Sequence, residues 1–132
     1  MIKIFFTLFC FGISINASHI HWLGDYDKAL HKAQKEHKPL MVLLVQKSCP
    51  SCSDVIKEFF MEHEYVESLN KKFISVIVTY EGRGNYPIEM FYSTIFPTLF
   101  FVNSKTECFL SEPLYGKMID ENAIRKILKL LL

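Results

Sequence analysis

The sequence contains no block of like charge. Its 15 Lys and Arg stand against 14 Asp and Glu, a formal net charge of +1, and their even spread removes the electrostatic footprint of a nucleic-acid binder. There is no second C-x-x-C and no H-x-x-x-H, so the four ligands of a structural zinc site are missing at their usual spacing. No internal repeat, low-complexity tract or domain-separating linker interrupts the chain. Its most apolar run, near the start, stops short of the roughly 20 residues a membrane-spanning helix needs. What is present is 132 residues, half of them hydrophobic, the size of one domain that can bury a core without staples.

The opening "MIKIFFTLFCFGISINAS" has one Lys, an apolar run and then small or polar residues, the layout of a secretory signal. We therefore expect residues 1–18 to be a signal peptide cleaved near Ala17 or Ser18, with residues 19–132 forming the exported domain. Cys10 would leave with it, and the bulky Phe9 argues against lipid attachment at that cysteine. Loss of Lys3 takes the basic count from 15 to 14, level with the acids. Three cysteines remain, Cys49, Cys52 and Cys108. An odd number in an oxidising compartment leaves at least one thiol without an internal partner, which excludes a disulfide-stapled scaffold.

Along the exported chain, "GDYDKALHKAQKEHKP" sets Tyr26, Ala29, Leu30 and Ala33 at helical spacing between an Asp25 N-cap and Pro39. "PLMVLLV" is an unbroken apolar run, the mark of a strand covered on both faces. Helical pattern returns from Ser51 to about Leu69, with a break near His63, and "FISVIVTY" makes a second buried strand. "EGRGNYP" is a loop, and "NYPIEMFY" is an aromatic cluster that either rims a site or joins the core. Pro97 opens a third strand at the position where a proline costs no ladder donor. "SKTE" reads as a hairpin turn and "CFLSEPLYG" as its antiparallel partner, with a bulge or early end at Pro113 and a half-buried Cys108. Ala123, Ile124, Ile127, Leu128 and Leu131 form one stripe of a final helix behind Asp120.

The stretch "VLLVQKSCPSCSDVIKEFF" places two cysteines between a strand and a helix start. Three readings arise: a redox dithiol, half of a metal site, or a structural bridge. A bridge closing so short a loop adds little stability. A cysteine at a helix N-terminus meets unpaired N–H groups and the positive end of the dipole, which favour thiolate. Cys49 is then the attacking thiol, and Cys52, three residues on and on the same face, resolves the mixed disulfide. Pro50 suits a first helical turn, with its preset φ and no N–H to lose.

A strand ending in "KSCPSC" at a helix start, an apolar strand opening at Pro97, a hairpin partner and a C-terminal helix together resemble the thioredoxin superfamily over most of residues 22–132. Within it, "DYDKALHKAQKEHKPLMVLLV" and "FFMEHEYVESLNKKFISVIV" are similar to exported thioredoxin-like proteins, including the C-terminal domain of the membrane reductase that feeds electrons to the bacterial periplasm. The resemblance implies an α/β thioredoxin-like fold, a central mixed β-sheet of four to five strands flanked by helices. It implies a protein-disulfide oxidoreductase without metal or organic cofactor, periplasmic, exchanging with protein thiols and disulfides and charged by a membrane thiol reductase. It makes Pro97 a cis-proline beside the dithiol, with Phe96 and Pro97 contacting substrate and Pro50 and Ser51 tuning the active-site loop. The absence of a large helical insertion favours a reductant over an oxidase. Three positions depart from the family pattern. Leu43 replaces a buried acid, leaving water, Lys47 or Glu58 to move the Cys52 proton; Ser48 replaces an aromatic residue; and Phe96 is bulkier than usual and is expected to narrow the substrate groove. The competing functions are copper handling on the same fold and a non-catalytic interaction module.

Overall fold

In the computed structural model, residues 18–82 and 84–131 are described, and residues 1–17 of the expected signal segment, Cys10 among them, lie outside them. The elements are β1 (Trp22–Leu23), α1 (Tyr26–Glu36), β2 (Leu40–Val45), α2 (Pro50–Phe59), α3 (Tyr65–Lys72), β3 (Ile74–Thr79), β4 (Thr98–Val102), β5 (Leu114–Tyr115), a 3-10 turn at Gly116–Met118 and α4 (Glu121–Leu130). Among the described residues no helix is long and apolar enough to cross a membrane.

One five-stranded sheet runs β1-β3-β2-β4-β5. β1 and β2 pair with β3 in parallel, and β4 pairs antiparallel with both β2 and β5. The mixed sheet of the expected fold is thus present, with β2 at its centre and Leu43 opposite both Ile77 and Leu99.

The unbroken apolar runs follow from this placement. Side chains alternate across a strand, and here both faces are covered. Met41, Leu43, Leu99 and Phe101 face α3 and α4 through Val66, Leu69, Ile124 and Ile127. Leu40, Val42, Leu44, Phe100 and Val102 face α1 through Tyr26, Ala29 and Ala33. Asp25 caps α1 by accepting the Lys28 N–H at 3.0 Å, and Asp120 caps α4 by accepting that of Ala123 at 2.8 Å. α1 stops short of Pro39 because His37 turns left-handed (φ 55°), and the Lys38 N–H reaches back to the Ala33 carbonyl at 2.9 Å.

The expectations for the hairpin after β4 need correction. The strand expected over "CFLSEPLYG" is broken into one bridge, Val102 with Phe109, and the two residues of β5. Cys108 is accordingly exposed and unpaired rather than half-buried. The turn is longer than "SKTE": Glu107 is left-handed (φ 56°) and donates to the Asn103 carbonyl at 2.7 Å, so Cys108 leaves the turn before the ladder resumes. "NYPIEMFY" belongs mainly to the core. Phe91 is 1% exposed and packs edge-on against Tyr26 and Phe100, and Tyr86 is buried, while Tyr92 points outward.

Candidate active site

β2 delivers the chain to the site at its C-terminal end, and β4, running the opposite way, begins there. Between β2 and α2, the Lys47 N–H donates to both carboxylate oxygens of Glu81, at 3.2 and 3.1 Å. Ser48 is left-handed (φ 52°), a conformation a non-glycine residue adopts only where its surroundings hold it. The turn it makes sets Cys49 at the N-cap of α2 with Pro50 at the first helical position.

A disulfide joins Cys49 and Cys52, whose Cα atoms lie 5.3 Å apart. The Cys52 N–H points at Cys49 Sγ at 3.2 Å, so the sulfur occupies the place of a capping oxygen, where the helix end favours negative charge. Cys49 is half-buried and reachable, whereas Cys52 is 4% exposed. The dithiol is therefore asymmetric, with one sulfur presented and the other held behind it.

The second wall comes from the loop before β4. The Phe96–Pro97 bond is cis, as the resemblance implies. Its loop is braced internally: the Ile95 N–H donates to Ser93 Oγ at 3.0 Å, and the buried Thr98 hydroxyl lies 2.6 Å from the Ile95 carbonyl and 2.9 Å from Ser93 Oγ. The Gly116 N–H donates to the Pro97 carbonyl at 2.8 Å. Gly116 has φ 50°, and a Cβ there would meet Ile95 Cγ2 at 3.1 Å, so glycine suits both the turn and the contact. Phe96 is half-buried and sets its ring edge-to-face on Tyr80, with centroids 5.4 Å apart. Ser51 joins the two walls. Its hydroxyl donates to the Phe96 carbonyl at 3.3 Å and lies 3.3 Å from Cys49 Sγ.

A groove with apolar walls of Val55, Phe59, Ile95, Phe96, Pro97 and Ile119 runs beside the dithiol. Ile95 is 50% exposed there. Asp54, Glu58 and Lys117 also line the groove.

All six residues expected at the site, Cys49, Pro50, Ser51, Cys52, Phe96 and Pro97, lie at this end of the sheet. Leu43 is fully buried, and among the described residues the buried polar side chains are Ser75, Ser93, Thr98 and Ser104, none of them an acid. Lys47 and Glu58 are exposed. Among the described residues no three His, Cys, Asp or Glu side chains gather as metal ligands; His19 and His21 meet edge-on at 5.6 Å. Sequence reasoning missed Glu81, Ser93 and Gly116. Gly116 alone carried a local signal, a glycine just after a strand; the other two act through contacts only the folded chain creates.

A family model described as thioredoxin-like matches residues 21–104. The chain belongs to this thioredoxin-like family. Among curated relatives, anterior gradient protein 2-B of Xenopus laevis is 35% identical over 63 residues, 48% of this chain and 38% of that protein. Human anterior gradient protein 2 homolog is 32% identical over 60 residues, 46% of this chain and 34% of that protein. These matches take in little more than a third of the relatives' own length. Among solved structures, a candidate disulphide isomerase from Bacteroides thetaiotaomicron superposes with a TM-score of 0.70 at 26% identity, covering 88% of this chain and 95% of that one. The oxidoreductase DsbH superposes with a TM-score of 0.67 at 17% identity over 89% and 88% of the two chains, a likeness of fold.

Proposed function

We propose that this thioredoxin-like chain is a thiol–disulfide oxidoreductase acting on protein disulfides, with Cys49 as nucleophile and Cys52 as resolving thiol. The observation that carries the reading is the asymmetric pair at the α2 N-terminus, a reachable Cys49 whose sulfur receives the Cys52 N–H and a Cys52 buried behind it. In the reduced enzyme the Cys49 thiolate attacks one sulfur of a client disulfide, forming a mixed disulfide and expelling the first client thiolate. Cys52 then loses its proton and attacks Cys49 Sγ, which forms the enzyme disulfide and releases the second client thiolate. Two electrons pass to the client, and a dithiol donor returns them to the enzyme. With Leu43 in place of an acid and Lys47 and Glu58 in solvent, the Cys52 proton leaves to water through the opening beside Cys49.

The finer reading is an exported, periplasmic reductant recharged by a membrane thiol reductase. It is supported by the signal-like opening of the sequence and by the similarity of the stretches at residues 25–45 and 59–78 to exported thioredoxin-like proteins. The deciding experiment is the reduction potential of the Cys49–Cys52 pair, equilibrated against a dithiol buffer and read by thiol alkylation. A value near about −270 mV identifies a reductant, and one near about −120 mV an oxidant. Absence of any reversible transition overturns the oxidoreductase reading.

A further inference from the structure

Ser51 stands where two parts of the site compete for one proton. Its hydroxyl is 3.3 Å from both Cys49 Sγ and the Phe96 carbonyl. A hydroxyl has a single hydrogen to donate, and in the disulfide neither sulfur carries one. A neutral disulfide sulfur is a weak acceptor beside an amide oxygen, so in the oxidised state the hydrogen goes to the Phe96 carbonyl, which lies within reach at 3.3 Å. Reduction by a dithiol donor delivers two electrons, breaks the Sγ–Sγ bond and leaves a thiolate on Cys49 and a thiol on Cys52, the donor becoming a disulfide. The thiolate is charged, and hydrogen bonds to charged acceptors are about twice as strong as neutral ones.

We propose that Ser51 is a positioning residue whose hydroxyl turns from the Phe96 carbonyl to Cys49 Sγ on reduction, stabilising the attacking thiolate and freeing that carbonyl to accept a client backbone N–H. Ser51, Ile95 and Phe96 all line the groove, so the freed acceptor belongs to a residue bordering the space an incoming chain would occupy. Once electrons have passed to the client, the hydroxyl returns to Phe96 and competes with the reduced product for it. The inference rests on the proposed role of Cys49 and adds a coupling between redox state and client hold.

The dipeptide Phe-Pro occurs once in the 132 residues, at Phe96–Pro97, so labelling Phe with ¹³C at the carbonyl and Pro with ¹⁵N isolates one NMR signal, that of the Phe96 carbonyl. In the native chain this signal moves upfield on reduction with dithiothreitol, as the carbonyl loses its donor. In Ser51→Ala the two redox states differ much less, and in Ser51→Thr the native difference returns. The midpoint of Cys49 alkylation by iodoacetamide against pH rises by about one unit in Ser51→Ala, a roughly tenfold weaker acid, and stays near the native value in Ser51→Thr. A redox-dependent shift in Ser51→Ala equal to the native one, or an unchanged alkylation midpoint, overturns the inference. Oxidised glutathione serves as a separate check. If it fails to oxidise the native Cys49–Cys52 dithiol, the proposed function itself falls; if it succeeds while the Ser51 variants behave as native, only the inference does.

Discussion

Cys49 and Cys108 carry the same side chain at opposite ends of β4, and almost everything around them differs. Cys49 begins a helix, receives the Cys52 N–H and has the buried Cys52 sulfur behind it and a braced loop across from it. Cys108 leaves a turn in solvent, and its thiol reaches only the Thr106 carbonyl, at 3.7 Å. The contrast teaches that reactivity here comes from backbone placement, since the chemistry of the side chain is constant between the two.

The strongest way to break this comparison is to exchange the residues for serine. Cys49→Ser should lower reduction of insulin disulfides by about a thousandfold or more, and Cys108→Ser should leave the rate within twofold of native; equal losses would show that the backbone setting is not what matters. Next in size is the strand linking the two ends. Phe101 is fully buried, and Phe101→Ala should cost about 3–5 kcal/mol in urea unfolding, with residual folded protein still exchanging disulfides. A cost under about 1 kcal/mol would mean that β4 is not the shared support.

A third test sets one loop anchor against the other. Glu81→Ala removes the carboxylate that receives Lys47 N–H at the dithiol end, and should slow exchange by about three- to tenfold, the equivalent of one hydrogen bond. Asn103→Ala removes the side-chain oxygen that accepts the N–H groups of Lys105 and Thr106, at 2.9 and 3.1 Å, at the Cys108 end. It should lower stability by about 1 kcal/mol and leave exchange untouched. Reversal of the two effects would dissolve the distinction between the ends.

The smallest effect concerns Tyr65 of α3, packed on one face of the sheet. Burial pushes the Tyr65 hydroxyl up to about 12, with Glu121 adding to the rise and Arg125 opposing it. A raised folded value means the native state holds this proton more tightly than the unfolded chain, whose tyrosines titrate near about 10. The contribution is complete below about pH 10 and is lost as pH rises towards about 12. Thermal unfolding across that window should fall less steeply in Tyr65→Phe; identical slopes would remove Tyr65 as the source.

Much of this was legible in the sequence because it is local. Asp25 and Asp120 mark helix starts, the run from Leu40 to Val45 announces a strand covered on both faces, and C-x-x-C at a helix start with Pro97 behind it carries the site. What escaped depends on register. The exposure of Cys108 follows from where the Val102–Phe109 bridge closes, one left-handed residue after the turn that sequence reading took as tight. The reach of Ser51 to Phe96, and of Glu81 to Lys47, joins residues 45 and 34 positions apart, and no spacing rule encodes such meetings. Phe96 was expected to narrow the groove; it stands among the groove walls and also meets Tyr80 edge-to-face, a partner set by where β3 ends.

The antiparallel pairing of β2 with β4, fixed where Leu43 meets Leu99, places the dithiol and the proline loop on adjacent central strands of one sheet. The two halves of the site cannot drift apart while that ladder stands, and the ladder belongs to the last part of the molecule to come undone. The site thus has no melting point of its own. Turnover during a temperature ramp would report the state of the whole domain, failing when the sheet fails and holding until then.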